Sequence, residues 1–282
     1  MGKNSSIEWT DHTFNPWWGC VKVSDACTHC YAEAWAKRVG QNVWGPGSSR
    51  RVFGESHWRE PIRWNEDARA EKRRRRVFCA SMADVFEPRK ELDKERAKLW
   101  ELIKITPWLD WLLLTKRPGS IGSLAPWTTD WPQNVWLGTT VEDQTWAEKR
   151  LPRLLKHAAA RRFLSCEPLL GAVDLSRWIG AEREGEFTID WVIAGGESGA
   201  HSRPMLPGWA RGLRDQCRRA GIPFHFKQWG HWAPASAAQA NRNVSKFWDD
   251  VEEKDILMEA KGKKEAGRFL DGVTWDQVPV VA

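Results

Sequence analysis

Residues 92–117 read LDKERAKLWELIKITPWLDWLLLTKR. The first part has helical periodicity and predicts a helix over Leu92–Ile105. Pro107 stops it, because proline lacks an amide proton and its ring clashes with the preceding turn. A continuous apolar run then predicts a strand over Trp111–Thr115, ending in the polar cluster Thr115-Lys116-Arg117. A strand apolar on both faces needs cover on both, which favours parallel pairing beneath helices.

The same unit recurs in both directions. Strands are predicted at Val77–Ser81, Val135–Thr139, Arg162–Cys166, Trp191–Ala194 and Phe224–Phe226, with Ile7–Thr10 as the first. Further helices are predicted at Ala26–Val39, Thr145–His157 and Pro207–Ala220, Asp25 capping the first and Gly221 closing the last. Alternating strands and helices mark an α/β sheet or barrel. Six to seven units predict a parallel (β/α) barrel, partial or closed, with a doubly wound sheet as second choice. The barrel is expected over residues 1–230, with a basic excursion at about 40–76 after the first unit, and residues 231–282 as a C-terminal appendage packed on the same domain.

The 282 residues carry a formal charge of +6 and a pI near 9.0, which suits a polyanionic partner but falls well short of a histone-like excess. No apolar run is long enough to cross a bilayer, and the polar start MGKNSSIEWT predicts no leader, so a cytoplasmic protein with no membrane partner is expected. The Met-Gly start with Ser5 and Ser6 is only a faint myristoylation-like pattern. Six cysteines are too sparse for a secreted disulfide scaffold. Cys20, Cys27 and Cys30 cluster and predict ligation in a reducing compartment, whereas Cys79, Cys166 and Cys217 are expected to be buried small hydrophobes.

In parallel α/β folds chemistry gathers beyond the carboxyl ends of the strands. The sequence places there Ser81 with Asp84, Thr115-Lys116-Arg117, Thr139-Thr140 with Glu142, Glu167, Gly195-Gly196-Glu197-Ser198-Gly199, and Lys227-Gln228. The cysteine segment follows the first strand and joins them, with Cys27 and Cys30 one turn apart at the start of a helix. Two metals fit this spacing. Zinc would take His29 or His12 as a fourth ligand, and an iron–sulfur cluster on three thiolates would leave one iron open. Lys116, Arg117 and Lys227 suit a carboxylate or phosphate on a substrate, although a single such residue is usually a solvated charge. Glu167 either orients a hydroxyl or caps the next helix. Trp17, Trp18, Trp44, Trp58 and Trp64 flank the excursion that ends in Lys72-Arg73-Arg74-Arg75-Arg76, a mixture suited to stacking bases and holding phosphates. The plainer expectation is a solvated basic face with tryptophans filling the core.

The run Cys27-Thr28-His29-Cys30, with a ring just before the last cysteine, resembles the end of the radical S-adenosylmethionine (radical SAM) cluster motif. The first interval departs from that pattern, having six residues between cysteines where three is usual. More closely, the chain resembles a phage- and prophage-encoded family of unassigned function named for its three-cysteine motif. The matching segments are IEWTDHTFNPWWGC, CTHCYAE, WLLLTKRP, VWLGTTVED, RFLSCEPLLG, WVIAGGESG, FKQWG and LDGVTWDQVP, nearly the whole chain. The resemblance implies a TIM barrel-like radical SAM fold in which Cys20, Cys27 and Cys30 hold a [4Fe–4S] cluster, with S-adenosylmethionine as cofactor and His29 near its adenine. It further implies cofactor contacts from Ser81 and Asp84, from Glu167 at a ribose, and from Gly195-Gly196-Glu197, although that glycine pair follows a late strand rather than the second. A 5′-deoxyadenosyl radical would then abstract hydrogen, with an electron donor such as a flavodoxin or ferredoxin. Together with the charge and the tryptophans, this predicts modification, rearrangement or repair of a nucleobase or its side chain in phage-related DNA. The alternative is a zinc-stabilised, non-enzymatic nucleic-acid-binding module.

Overall fold

The apolar runs pair as strands of a parallel sheet. A computed structural model describes residues 2–180, 187–199, 201–235 and 243–280. The strands are β1 (His12–Thr13), β2 (Trp17–Trp18), β3 (Arg51–Val52), β4 (Arg75–Cys79), β5 (Leu109–Thr115), β6 (Val135–Thr140), β7 (Arg161–Cys166), β8 (Trp191–Gly195), β9 (Phe224–Gln228), β10 (Trp232–Pro234), β11 (Val244–Asp249) and β12 (Lys254–Ala260). The helices are α1 (Tyr31–Arg38), α2 (Glu55–Trp58), α3 (Glu60–Ala70), α4 (Asp93–Ile105), α5 (Ile121–Leu124), α6 (Gln144–Leu154), α7 (Pro207–Ala220) and α8 (Lys263–Ala266). Seven strands follow the order β1-β4-β5-β6-β7-β8-β9. This is the sequential α/β order of a (β/α) barrel in its partial form, since β1 and β9 end the series. A doubly wound sheet would reverse its order midway, and this one does not.

Tertiary contacts divide the chain into two compact units. The first takes Met1–Ser24, Ala32–Thr139 and Arg153–Arg162; the second takes Asp25–Tyr31, Thr140–Pro152 and Phe163–Ala282. In the first unit β1 pairs with β4 through His12↔Val77 and Thr13↔Phe78, and β4, β5 and β6 continue in parallel. Every residue of β6 and all but Leu114 of β5 are buried, as continuous apolar strands require. Trp9 packs on Phe78 with ring centroids 4.6 Å apart, and Phe14 meets Trp111 edge to face at 5.7 Å. Leu99, Leu102 and Ile103 form the buried stripe of α4. A short antiparallel ribbon sets Trp17 opposite Val52 and Trp18 opposite Arg51.

In the second unit β7, β8 and β9 are parallel, and β10, β12 and β11 form a separate antiparallel sheet. Pro207 opens α7, and Gly221 closes it with φ 70°, its amide and that of Ile222 returning to Arg218 and Cys217. The remaining end of α7 is capped from a distance. Asp249, wholly buried at the end of β11, accepts the Gly208 amide at 2.7 Å and those of Val251 and Glu252 at 3.1 Å.

Several elements differ from expectation. The first strand is two residues long and lies later than Ile7–Thr10, because the Thr10 amide turns back to Ile7. Thr10 still serves the sheet, its hydroxyl accepting the Phe78 amide at 3.1 Å. The helix expected from Ala26 begins at Tyr31, after a 3-10 turn over Asp25–Cys27, so Cys27 and Cys30 precede the helix. The stretch at 40–76 is folded, carrying β3, α2, α3 and the start of β4. The arginines of its basic run are paired within the chain: Arg74 with buried Asp110, Arg75 with Glu71, and Arg73, Arg75 and Arg76 around Asp11. Trp17, Trp58 and Trp64 are buried, which removes them as stacking platforms, while Trp18 and Trp44 are half-buried. The region expected as an appendage, of which 236–242 and 281–282 lie outside the described residues, forms β10–β12 and α8 and then runs along β9. There the Phe226 amide bonds the Trp275 carbonyl at 2.8 Å and Trp191 Nε1 donates to Gln277 O at 2.9 Å.

Asp249→Ala removes a buried acceptor from three amides, one of them in the first turn of α7. It is expected to cost about 3 kcal/mol in urea denaturation. An unchanged unfolding midpoint would show that the cap contributes nothing.

Candidate functional site

In the first unit the chain after β1 is fastened to the carboxyl end of β4. Asn15 Nδ2 donates to Ser81 Oγ at 3.1 Å, and Asn15 Oδ1 accepts the Met82 amide at 2.7 Å. The Gly19 amide reaches Met82 O at 2.9 Å. Gly19 has φ +115°, and a Cβ there would lie 2.2 Å from Val43 O, so only glycine fits. Cys20 follows at once.

Asp84 organises this end. Its Oδ1 accepts from Thr115 Oγ1 at 2.7 Å and from the Phe86 amide at 3.0 Å, and its Oδ2 accepts from the Lys116 amide at 3.1 Å and from Arg117 Nη1 at 2.9 Å. Arg117 also donates to Val21 O at 2.7 Å and lies 3.5 Å from Cys20 Sγ. Its side chain is only 11% exposed. Burial first, and then the Asp84 charge, push the Cys20 thiol up to about 12 against the pull of Arg117. Cys20 is thus a neutral thiol unless a cation displaces its proton.

The second unit holds the rest of the cysteine segment. Cys27, His29 and Cys30 are half-buried, and the Thr28 amide bonds Asp25 O at 3.0 Å. Glu197, 4% exposed, latches this turn. Its Oε2 meets His29 Nδ1 at 3.2 Å, the Arg203 amide at 2.8 Å and Arg203 Nε at 2.9 Å; its Oε1 takes Arg203 Nη2 at 2.7 Å. Arg203 Nη2 also donates to Asp25 O at 3.0 Å. Burial alone would raise the Glu197 carboxyl, but the donors of Arg203 and His29 bring it below its ordinary value. Preceding glycines serve packing. A Cβ on Gly196 would lie 1.8 Å from Trp229 O, and one on Gly230 would lie 2.2 Å from Glu197 O.

Glu167 and Lys227 pair at 2.9 Å, with Glu167 against Gly195. Glu167 Oε1 is buried and has no protein partner among the described residues, leaving an acceptor for a ligand donor. Fully buried Glu142 bonds Arg150 at 2.5 Å through Oε2, and its Oε1 likewise lacks a protein partner among the described residues. Lys116 is half-buried.

The sequence-derived candidates therefore fall into three groups. Ser81, Asp84 and Arg117 gather around the segment leading to Cys20; His29 and Glu197 join; Glu167 and Lys227 join. Asp84, Arg117 and Glu197, expected at cofactor or substrate, are engaged by their own chain. His12 is stacked on Trp64 at 4.6 Å with Nδ1 accepting the Asn4 amide, a commitment unlike that of a metal ligand. Cys79, Cys166 and Cys217 are buried, as expected. None of the six cysteines is in a disulfide, and among the described residues no three His, Cys, Asp or Glu side chains stand close enough together to hold a metal ion. Asn15 and Arg203 were missed. Asn15 lay within the quoted FNPWWGC segment without a chemical signature, and Arg203 could be found only by asking what neutralises Glu197.

The fold and site define an α/β chain with a parallel sheet and a three-cysteine segment fastened by arginine–carboxylate pairs. The chain belongs to a family of proteins of unknown function (DUF5131), whose profile matches residues 4–279. No curated protein matches it. Among solved structures it is similar to a mutant spore photoproduct lyase with bound AdoMet and dinucleoside spore photoproduct, at 10% identity and a TM-score of 0.44, covering 94% of this chain and 74% of that one. A second mutant of spore photoproduct lyase gives 11% identity and a TM-score of 0.47 over 94% and 72% of the two chains.

Arg117→Met leaves the Asp84 carboxylate buried without its cation and is expected to cost about 3–5 kcal/mol in chemical denaturation, partly recovered by adding Asp84→Asn. No recovery would mean that the pair is not the source of the loss. For Glu197, whose folded-state pKa is lowered, the stabilisation is complete above the ordinary glutamate range and is lost as pH falls through the lowered value. The stability gap between wild type and Glu197→Gln should therefore be constant near neutrality and close in acid, read by denaturation across pH.

Proposed function

We propose that this protein is a radical S-adenosylmethionine enzyme acting on nucleic acid. The observation that carries the reading is the placement of Cys20 at the carboxyl ends of parallel strands. It lies beside Asp84 and Arg117, which follow β4 and β5, and it belongs to an eleven-residue span with two more half-buried cysteines. A purely structural zinc knot has no need of the strand ends where α/β enzymes carry their chemistry. By their chemistry and their spacing in sequence, Cys20, Cys27 and Cys30 would hold a [4Fe–4S] cluster with one open iron once deprotonated and drawn together on it. Such a cluster with S-adenosylmethionine supplies a radical able to remove hydrogen from an unactivated carbon.

The chain's own residues supply the setting. Arg117 fixes Cys20 and Val21 and sets a positive charge beside the sulfur, and the Glu197–Arg203 pair fixes the turn that carries Cys27 and Cys30. Glu167 offers its unpartnered oxygen to a hydroxyl or amine donor, while Lys227 balances its charge. Lys116 stands at the end of β5 as the basic group for an anionic part of the ligand. The positive net charge favours a polyanion and a reductant protein supplies the electron.

One observation favours a second reading. Glu197 orients His29 through Nδ1, as second-sphere carboxylates orient zinc-bound histidines. A Cys3His zinc site would use Nε2 of that ring. The two are separated by anaerobic reconstitution and metal analysis. The radical reading expects about four irons per chain and a brown colour. Both should be lost in Cys20→Ala, Cys27→Ala and Cys30→Ala and retained in His29→Ala. One tightly bound zinc that is lost in His29→Ala, with no iron uptake, would overturn it. Formation of 5′-deoxyadenosine that rises on adding DNA tests the substrate class.

A further inference from the structure

Arg73–Arg76 are engaged by carboxylates, whereas another basic and aromatic surface in the first unit carries arginines with no ion pair among the described residues. It is built on the β2–β3 ribbon and α1. The Arg51 guanidinium lies 4.5 Å from the centroid of Trp18 and 5.3 Å from that of Phe53. Trp18 meets Trp35 edge to face at 4.9 Å and Phe53 at 5.5 Å, which ties the ribbon to the helix. Trp18, Trp35 and Phe53 are half-buried, while Arg51 and its neighbour Val52 are exposed. Each ring therefore keeps an accessible part.

The charge around the rings has one sign in excess. Glu33, the acidic residue of α1, is shared by Lys22 at 3.0 Å and Lys37 at 2.7 Å. Arg38, one turn on from Trp35, and Arg51 are exposed and add two further cations. Glu55, the next acid after the ribbon, pairs with Lys98 on α4. Among the described residues, Lys22 and Lys37 thus share one carboxylate while Arg38 and Arg51 have no ion pair. An apolar protein partner would have little use for this surplus. A strand of phosphates carrying unpaired bases meets both features, because every base has a face to stack on an aromatic ring or guanidinium, and phosphates match the cations.

We infer that the surface formed by Trp18, Trp35, Arg38, Arg51 and Phe53 binds single-stranded nucleic acid, bases stacking on the rings and phosphates meeting the arginines. The inference rests on the reading of the protein as acting on nucleic acid and says where the strand is held. Trp18 is joined to Cys20 by Gly19 alone, so a strand seated here lies near that cysteine.

Fluorescence anisotropy of labelled single-stranded oligonucleotides with the full-length protein provides the test. Wild type should bind single strands more tightly than duplex. Trp18→Ala should bind about ten-fold more weakly, with Trp18→Phe restoring most of the loss and thermal melting confirming that both variants fold. Arg51→Ala should lower the slope of log affinity against log salt by about one, whereas Arg73→Ala, beside Asp11 and away from the rings, should not. Absence of binding, a preference for duplex, or unchanged affinity in Trp18→Ala and Arg51→Ala would overturn the inference. Measuring the same protein before and after metal loading keeps the readings apart. Binding without iron uptake sinks the radical chemistry alone, and iron uptake without binding sinks this surface alone.

Discussion

The carboxylate of Asp84 is the constraint on which the first unit's strand ends depend. It is buried, and water cannot serve it, so its oxygens must be satisfied by protein donors. They come from Thr115, Lys116, Arg117 and Phe86. That requirement pulls the end of β5 onto the loop after β4 and turns Arg117 inward. Once there, the guanidinium has donors left, and they take Val21 O and approach Cys20. A single buried charge thereby determines where a thiol far away in sequence is held.

The second unit repeats the device with different parts. Glu197 and Arg203 neutralise one another, and their surplus contacts reach Asp25 and His29 on the turn carrying Cys27 and Cys30. Each unit thus fastens its own part of the cysteine segment with an arginine–carboxylate pair. Cys20, Cys27 and Cys30 stay half-buried, whereas Cys79, Cys166 and Cys217 are buried.

Much of the fold was legible because it depends on local sequence. The apolar runs of β5, β6 and β8 and the Pro207 and Gly221 limits of α7 each carry their own signal. The first strand was not legible, because its two residues acquire strand geometry only from β4. The pairing of the basic run was hidden for a related reason: two of its carboxylate partners, Asp11 and Asp110, are distant in sequence and meet it only when the sheet forms. At the site, the residue types were readable and their allegiances were not. Asp84 and Arg117 read separately as cofactor and substrate groups, whereas each is the other's partner.

The close approach of Gly196 and Gly230 bears on how the Gly-Gly-Glu segment should be interpreted. The Trp229 carbonyl occupies the volume a side chain on Gly196 would need, and the Glu197 carbonyl the volume a side chain on Gly230 would need, so neither position can change without moving two strand ends. The segment is therefore held to glycine by steric exclusion from within the protein. In any set of related chains its persistence would report the spacing of β8 and β9. Evidence for a ligand would have to come instead from side chains such as Glu167 that retain an unused oxygen.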